Sequence, residues 1–251
     1  MQFEEYRRMA EVEDSMWYYR ALHRHVIRNV TRGQPDSGVR MLDAGCGTGG
    51  LLRRLREARP QWTLTGLDFS PQACALARER TEAEIVQGSV AALPFEANRF
   101  DVIASCDVLC QVAAPGEGLR EFHRVLKPGG RVVLTMPAYQ WMYSYHDREV
   151  GNLRRYSRSE VKALLAAAGF RVLRATYWNL LPFPLAVVRR KLLPPANPAS
   201  DVHPFPAPVE AGFNALMAAE HAWFEEGGTL CAGNSVLTVA EKSQQSAAHT
   251  P

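Results

Sequence analysis

The chain has 251 residues, 47% of them hydrophobic, and a formal net charge of +3. That is enough apolar mass to bury one α/β core without disulfides, a metal or a partner. The positive excess comes largely from dispersed arginines such as Arg53, Arg54, Arg56 and Arg78, spaced as on solvated helix faces, which argues against a nucleic-acid substrate. Five cysteines, an odd count, with no secretory apolar segment at the start predict reduced thiols and a cytoplasmic setting. Cys106 and Cys110 have no second Cys or His pair at zinc spacing, and His23 with His25 is a dipeptide-spaced pair, so no metal is expected. No apolar run reaches the roughly 18 residues of a membrane span.

The first thirty residues show helical periodicity, with Phe3, Tyr6 and Met9 followed by Trp17, Tyr18, Leu22 and Val26. The stretch from Val39 to Gly50 then joins a short buried-strand pattern to a turn almost free of side chains. Gly45, Gly47 and Gly49 permit positive φ and close approach of a ligand to the backbone. The helix resuming near Thr48 turns its free N–H groups toward that turn. Gly45, Gly47 and Gly50 also satisfy the dinucleotide spacing, in which a pyrophosphate sits on the helix N-terminus. Asp43 separates the two readings: a carboxylate before the first glycine repels a pyrophosphate and accepts hydrogen bonds from an ammonium group.

Trp62 to Asp68 reads as a second strand ending in an acidic residue about twenty positions beyond the glycines, the usual place of a ribose diol. Ser70 and Pro71 supply the cap and first residue of a helix to Arg80, which leaves Asp68 free for that role. Glu84 to Ser89 and Phe100 to Cys106 read as the third and fourth strands. Residues 115 to 126 read as a helix, Lys127 to Gly130 as a turn and Arg131 to Met136 as the fifth strand. A sixth closes at Tyr177-Trp178-Asn179. Alternation of strands and helices predicts a parallel sheet with ligands at the carboxyl ends of its strands.

From Asp43 through the glycines to Asp68, and in order over residues 39 to 178, the chain resembles the class I S-adenosylmethionine-dependent methyltransferases. The resemblance implies a Rossmann-like α/β sheet of seven strands, mostly parallel with the last antiparallel, and S-adenosylmethionine as methyl donor or as substrate. It implies cofactor binding by Asp43, Gly45, Gly47 and Asp68, an adenine site at Phe69 and Gly88-Ser89-Val90, and Cys106 and Asp107 near the sulfur. It also implies that residues 1–34 form a helical lid on a domain over 35–242. Tyr6, Trp17, Tyr18 and Tyr19 would face the sulfonium, and Arg20 the cofactor's carboxylate.

The insertion at 137–156 is too long for an ordinary connection. A bacterial subgroup of the family is similar there, with a His-Asp pair and Arg-Arg-Tyr. His146 is the expected base, oriented by Asp147, with Asp107 as the alternative. Tyr139, Tyr143 and Tyr145 are expected to shape a pocket. The subgroup often carries Glu-His where this chain has Cys110-Gln111. That departure keeps two reactions open. One is methyl transfer to a small molecule in bacterial specialised metabolism. The other is cyclisation of S-adenosylmethionine to azetidine-2-carboxylate with release of methylthioadenosine, for which Tyr139, Tyr177 and Asn179 would fold the amino-acid tail. The apolar segment from Leu180 to Val188, ending in Arg189-Arg190-Lys191, reads as a helix over the active-site mouth, as a homodimer contact, or as a lipid-surface segment. Residues 194–208 are proline-rich and read as a loop, and 243–251 as a disordered tail.

Overall fold

A computed structural model of the protein describes residues 3–193, 201–203 and 205–243. Seven strands form one sheet: β1 (Arg40–Ala44), β2 (Thr63–Asp68), β3 (Glu84–Gln87), β4 (Phe100–Cys106), β5 (Leu126–Pro137), β6 (Phe170–Trp178) and β7 (Ser235–Lys242). Their order is β3-β2-β1-β4-β5-β7-β6. The first five run parallel, and β7 is antiparallel to both β5 and β6. The central strands are buried on both faces, as the run Met41 to Ala44 shows, which is why β1 reads as continuous apolar sequence rather than as alternation.

Helices cover both faces. On one lie α2 (Trp17–Thr31), α3 (Gly50–Ala58) and α9 (Ala207–Glu225), whose apolar sides close over Val26, Leu52, Trp62 and Trp178. On the other, α5 (Pro115–Val125) and α7 (Arg158–Ala167) pack on Phe122, Leu165, Phe170 and Tyr177. Local chemistry sets the helix starts. Ser70 accepts from the Ala73 N–H at the head of α4 (Pro71–Arg80), and Ser157 with Glu160 forms a capping box at the head of α7. The long helix α9, apolar around much of its surface, had no counterpart in the sequence reading. Arg28 of α2 donates to the Phe224 carbonyl at its end, 2.6 Å.

The expected turn at Lys127–Gly130 is instead an outpouching inside β5. Leu126 pairs with Phe100 and Arg131 with Val102, so four residues of β5 face the single residue Asp101. Gly129, at φ +76°, lets the chain fold out, and Asp101 holds the bulge by accepting from Lys127 Nζ at 2.6 Å and from the Arg40 N–H at 2.9 Å.

The N-terminal periodicity resolves into α1 (Phe3–Val12) and α2. Just after α1, Glu13 and Asp14 fasten the chain to the glycine turn and its neighbours: Glu13 accepts from the Thr48 hydroxyl at 2.7 Å and pairs with Arg80, and Asp14 pairs with Arg53 and Arg80. Between β5 and α7 the insertion folds as a short 3₁₀ turn and α6 (Tyr145–Glu149). After β6 comes α8 (Phe183–Val187), continued by a π-helical turn Val188–Leu192. Of the expected proline-rich loop, residues 194–200 and 204 lie outside the described residues, and Ala207 and Pro208 already belong to α9. Residues 244–251 of the expected tail also lie outside them.

Candidate active site

The turn after β1 is drawn taut by the neighbouring strand. The N–H groups of Gly45 and Cys46 both donate to the Leu67 carbonyl, at 2.7 and 2.9 Å. The Gly47 N–H donates to Asp68 Oδ2 at 2.9 Å, and Asp68 Oδ1 accepts from the Ser70 N–H at 2.9 Å. Gly45 has φ +94°, and a Cβ there would lie 2.1 Å from Val108 Cγ2, so glycine is required twice over, by conformation and by space. A Cβ on Gly47 would meet Met9 Cε at 2.6 Å. The first helix therefore lies directly on the turn.

A cavity of about 530 Å³ opens from this turn along the carboxyl ends of β1, β4 and β5, within the range of a small-molecule site. Its floor is Asp43, Gly45, Gly47, Cys106 and Asp107; α2 contributes Trp17, Tyr18, Tyr19 and His23, and α8 with the π turn forms the far wall. Burial, with the nearby Asp68 and Glu13 carboxylates, pushes Asp43 up to about 8. Burial likewise raises Glu13 and the Cys106 thiol.

At the end of β4, Asp107 sits at φ +56°. Its Oδ2 accepts from the Tyr18 hydroxyl at 2.9 Å and its Oδ1 from the Thr135 hydroxyl at 3.3 Å. Burial raises this carboxyl, and the two hydroxyls only partly offset that. Tyr18 is fixed in turn, stacked on Trp178 with centroids 5.4 Å apart and edge-on to Trp17 at 5.8 Å. Four buried polar atoms of the cavity-lining residues have no hydrogen-bond partner: Trp17 Nε1, His23 Nδ1, Asn179 Oδ1 and Asn234 Oδ1. Such unpaired groups leave donors and acceptors at the cavity for water or a ligand to engage.

Several expectations are corrected. Asp147 does not orient His146. It is the capping-box residue of α6 and forms a fully buried pair with Arg155, whose Nε lies 2.8 and 3.0 Å from its two oxygens, while Asn152 Nδ2 donates at 3.0 Å. His146 lines the cavity, but its Nδ1 accepts the Asp201 N–H at 3.0 Å. Burial and the Arg190 guanidinium push it down to about 3. With Nδ1 accepting, a neutral ring carries its proton on Nε2, where His146 presents a hydrogen-bond donor. Tyr139 and Tyr177 stack on each other at 5.0 Å in the opposite core and do not line the cavity. Tyr143 and Tyr145 are also absent from its wall; their hydroxyls donate to the Asn152 carbonyl at 2.9 Å and to Asp201 Oδ1 at 3.4 Å. Arg20 is exposed and away from the cavity, because the aromatic run before it takes the inward side.

Among the remaining expected residues, Asn179 lines the cavity at φ +63°, its backbone N–H held by Glu220 at 2.6 Å. Tyr6 is buried beside Asp68 and Ser70. Phe69, Ser89 and Val90 do not line the cavity: Phe69 is 79% exposed and Val90 is packed in the core. Glu13, His23, Asp201 and Asn234 went unremarked as site residues in the sequence, since their partners lie tens of positions away.

A methyltransferase-domain family model matches residues 42–134. The chain is 32% identical over 180 residues to the demethylmenaquinone methyltransferase of Thermus thermophilus, covering 59% of this chain and 80% of that relative. It is 34% identical over 142 residues to the enzyme of the same description from Staphylococcus aureus, covering 51% of this chain and 59% of the relative. A 37.1 kDa transposon TN4556 protein of Streptomyces fradiae is 38% identical over 127 residues, 48% of this chain and 36% of its own length. Among solved structures, geranyl diphosphate C-methyltransferase from Streptomyces coelicolor, crystallised with S-adenosylhomocysteine, superposes with TM-score 0.61 at 16% identity over 89% of this chain and 76% of that one. The [4+2]-cyclase SpnF gives 0.57 at 21% identity over 87% and 79%; both show the same fold. The glycine turn with Asp43, the strand order and these relatives agree: the chain belongs to the class I S-adenosylmethionine-dependent methyltransferases.

Proposed function

We propose that this protein transfers the methyl group of S-adenosylmethionine to a small molecule held in the cavity between Asp107 and α8. The observation that carries the reading is the continuity of one cavity from Asp43 and the glycine turn to the Tyr18–Asp107 pair, with orphaned Asn179 and Asn234 oxygens in the lining residues. In this reading Asp43 accepts hydrogen bonds from the cofactor's ammonium group, Asp68 holds the ribose diol, and the adenine lies against exposed Phe69, toward Ser89 and Val90. Cys106, Trp17 and Tyr6 border the same cofactor, and α1 and α2 are its lid. The bound cofactor supplies an electrophilic methyl carbon: the acceptor's lone pair forms the new bond as the methyl–sulfur bond breaks, with its electrons left on sulfur. The chain's own work is to hold the acceptor in line, exclude water and take its proton.

Asp107 is the group placed for that proton. It is half-buried, raised above ordinary carboxylates, and steadied by Tyr18 and Thr135. His146 Nε2, Asn179 and Asn234 orient the acceptor. Replacement Asp107→Asn should lower kcat by about 10²–10⁴. Tyr18→Phe removes a hydrogen bond that lowers the Asp107 carboxyl, so the acid limb of kcat/KM should move to higher pH. Steady-state pH profiles of wild type and Tyr18→Phe test the assignment, and an unmoved limb contradicts it. Cyclisation of the cofactor is the weaker reading, because Tyr139 and Tyr177, two of its three required side chains, lie outside the cavity.

A further inference from the structure

The far wall of the cavity is also an exposed apolar stripe. Leu181, Leu185, Val188 and Leu192 follow one another at helical spacing and are 48, 55, 38 and 67% exposed, with Leu193 at 72%. Trp141, 55% exposed, extends the patch through its contact with Phe183, centroids 6.1 Å apart. Three of these residues, Leu185, Val188 and Leu193, also line the cavity. The mouth of the cavity is thus rimmed by solvent-exposed aliphatic side chains, an arrangement that costs free energy in water and that a polar acceptor arriving from solution does not require.

Charge sits on the same segment. Arg189, Arg190 and Lys191 lie within the stripe, between Val188 and Leu192. Asp201 accepts from Arg189 Nε at 3.1 Å and Arg190 Nη2 at 2.6 Å. The exposed Lys191 ammonium donates to the Tyr143 carbonyl at 2.8 Å, a neutral partner that leaves its charge uncompensated. An aromatic at the edge, aliphatic residues along one side and cations interleaved near its end form the pattern of a segment lying in a headgroup layer.

We propose that the stripe Leu181–Leu192 docks this protein on an anionic lipid surface, with the cavity mouth toward the bilayer so that an amphipathic acceptor enters from the lipid. The entry of the acceptor rests on the methyl-transfer reading; the docking does not. No helix among the described residues is long and apolar enough to cross a membrane.

The test is co-flotation of the full chain with vesicles of phosphatidylcholine alone and of phosphatidylcholine with 30 mol% phosphatidylglycerol, at low and high salt. Binding to the anionic vesicles should weaken at least about tenfold in Leu181→Ser/Leu192→Ser, whose side chains are exposed and do not line the cavity, and less in Lys191→Gln. Calorimetric S-adenosylmethionine affinity and the thermal midpoint of the double variant should equal those of wild type, which separates loss of docking from misfolding. Absence of vesicle binding by folded, cofactor-binding wild type overturns the docking and leaves the proposed reaction standing. Retained binding by the double variant overturns it too, as does a wild-type dimer, dissociated by the same substitutions, that ignores vesicles. Equal binding to neutral vesicles overturns the anionic preference. Failed cofactor binding with intact vesicle binding refutes the reaction and not the surface.

Discussion

Asp43→Asn is expected to stabilise the ligand-free protein above neutral pH while weakening S-adenosylmethionine binding roughly thirtyfold or more. The ionised carboxylate has been pushed from an ordinary 3.8 to about 8 by burial and by Asp68 and Glu13. The folded protein therefore binds a proton at Asp43 that the unfolded chain has released, across the window from about 4 to about 8. In that window stability falls as pH rises, since the slope follows protons bound in the unfolded state minus those in the folded state. Asn does not titrate, so the variant escapes the loss and its thermal midpoint should exceed wild type by a margin that widens toward pH 8. Binding moves the other way. Truncating one side of a desolvated charge pair costs about 2–5 kcal/mol, roughly thirtyfold or more in affinity. Thermal melts from pH 5 to 9 and calorimetry with S-adenosylmethionine check both halves. A variant less stable than wild type at pH 8, or one of unchanged affinity, contradicts the assignment.

Arg155→Met should be the most damaging single change outside the cavity floor. The Arg155 and Asp147 side chains are 1% and 0% exposed, and the carboxylate also caps α6 through the Ser144 N–H at 2.9 Å. Burial alone would raise Asp147; Arg155, Asn152 and Ser144 overcome it and hold the carboxyl below its ordinary range. Removing the cation leaves a buried charge without its counterion, a loss of about 3–5 kcal/mol, or roughly 6–20 °C in thermal midpoint for a chain of this size. The depressed carboxyl contributes stability above its unfolded pKa that is lost as pH falls through the folded one, so wild type and variant should converge in acid. The double variant Asp147→Leu/Arg155→Met should recover part of the loss, because the uncompensated charge has gone with its partner. A single variant within 1 °C of wild type would show that the pair does not hold the insertion.

The parts of this molecule written in adjacent residues were legible from sequence. Asp43 with Gly45, Gly47 and Gly49, the Ser70-Pro71 helix start and the strand ends at Asp68 and Cys106 depend on local dihedral freedom and alternation, and all fall where the pattern put them. Side-chain direction was not legible. Tyr177 and Trp178 are neighbours on β6, and only pairing with β7, Tyr177 opposite Val236 and Trp178 opposite Ser235, decides that Trp178 meets Tyr18 while Tyr177 enters the other core. A one-residue register change would exchange them. The pairing of His146 and Asp147 failed for a related reason: adjacent residues on a helix diverge, so Asp147 met Arg155 and His146 met Asp201, 55 positions away. Helix α9 is not legible in the sequence because an Ala-rich segment apolar on several sides lacks the stripe that marks an amphipathic helix.

The most direct measurement is mass spectrometry of S-adenosylmethionine incubated with the protein, with and without a panel of small hydroxyl- and amine-bearing acceptors, against a boiled control that accounts for spontaneous decay. S-adenosylhomocysteine should form only with an acceptor, in equal amount to an acceptor product heavier by one methylene unit, and should be strongly reduced in Asp107→Asn. Methylthioadenosine released without acceptor, with no S-adenosylhomocysteine under any condition, would contradict methyl transfer.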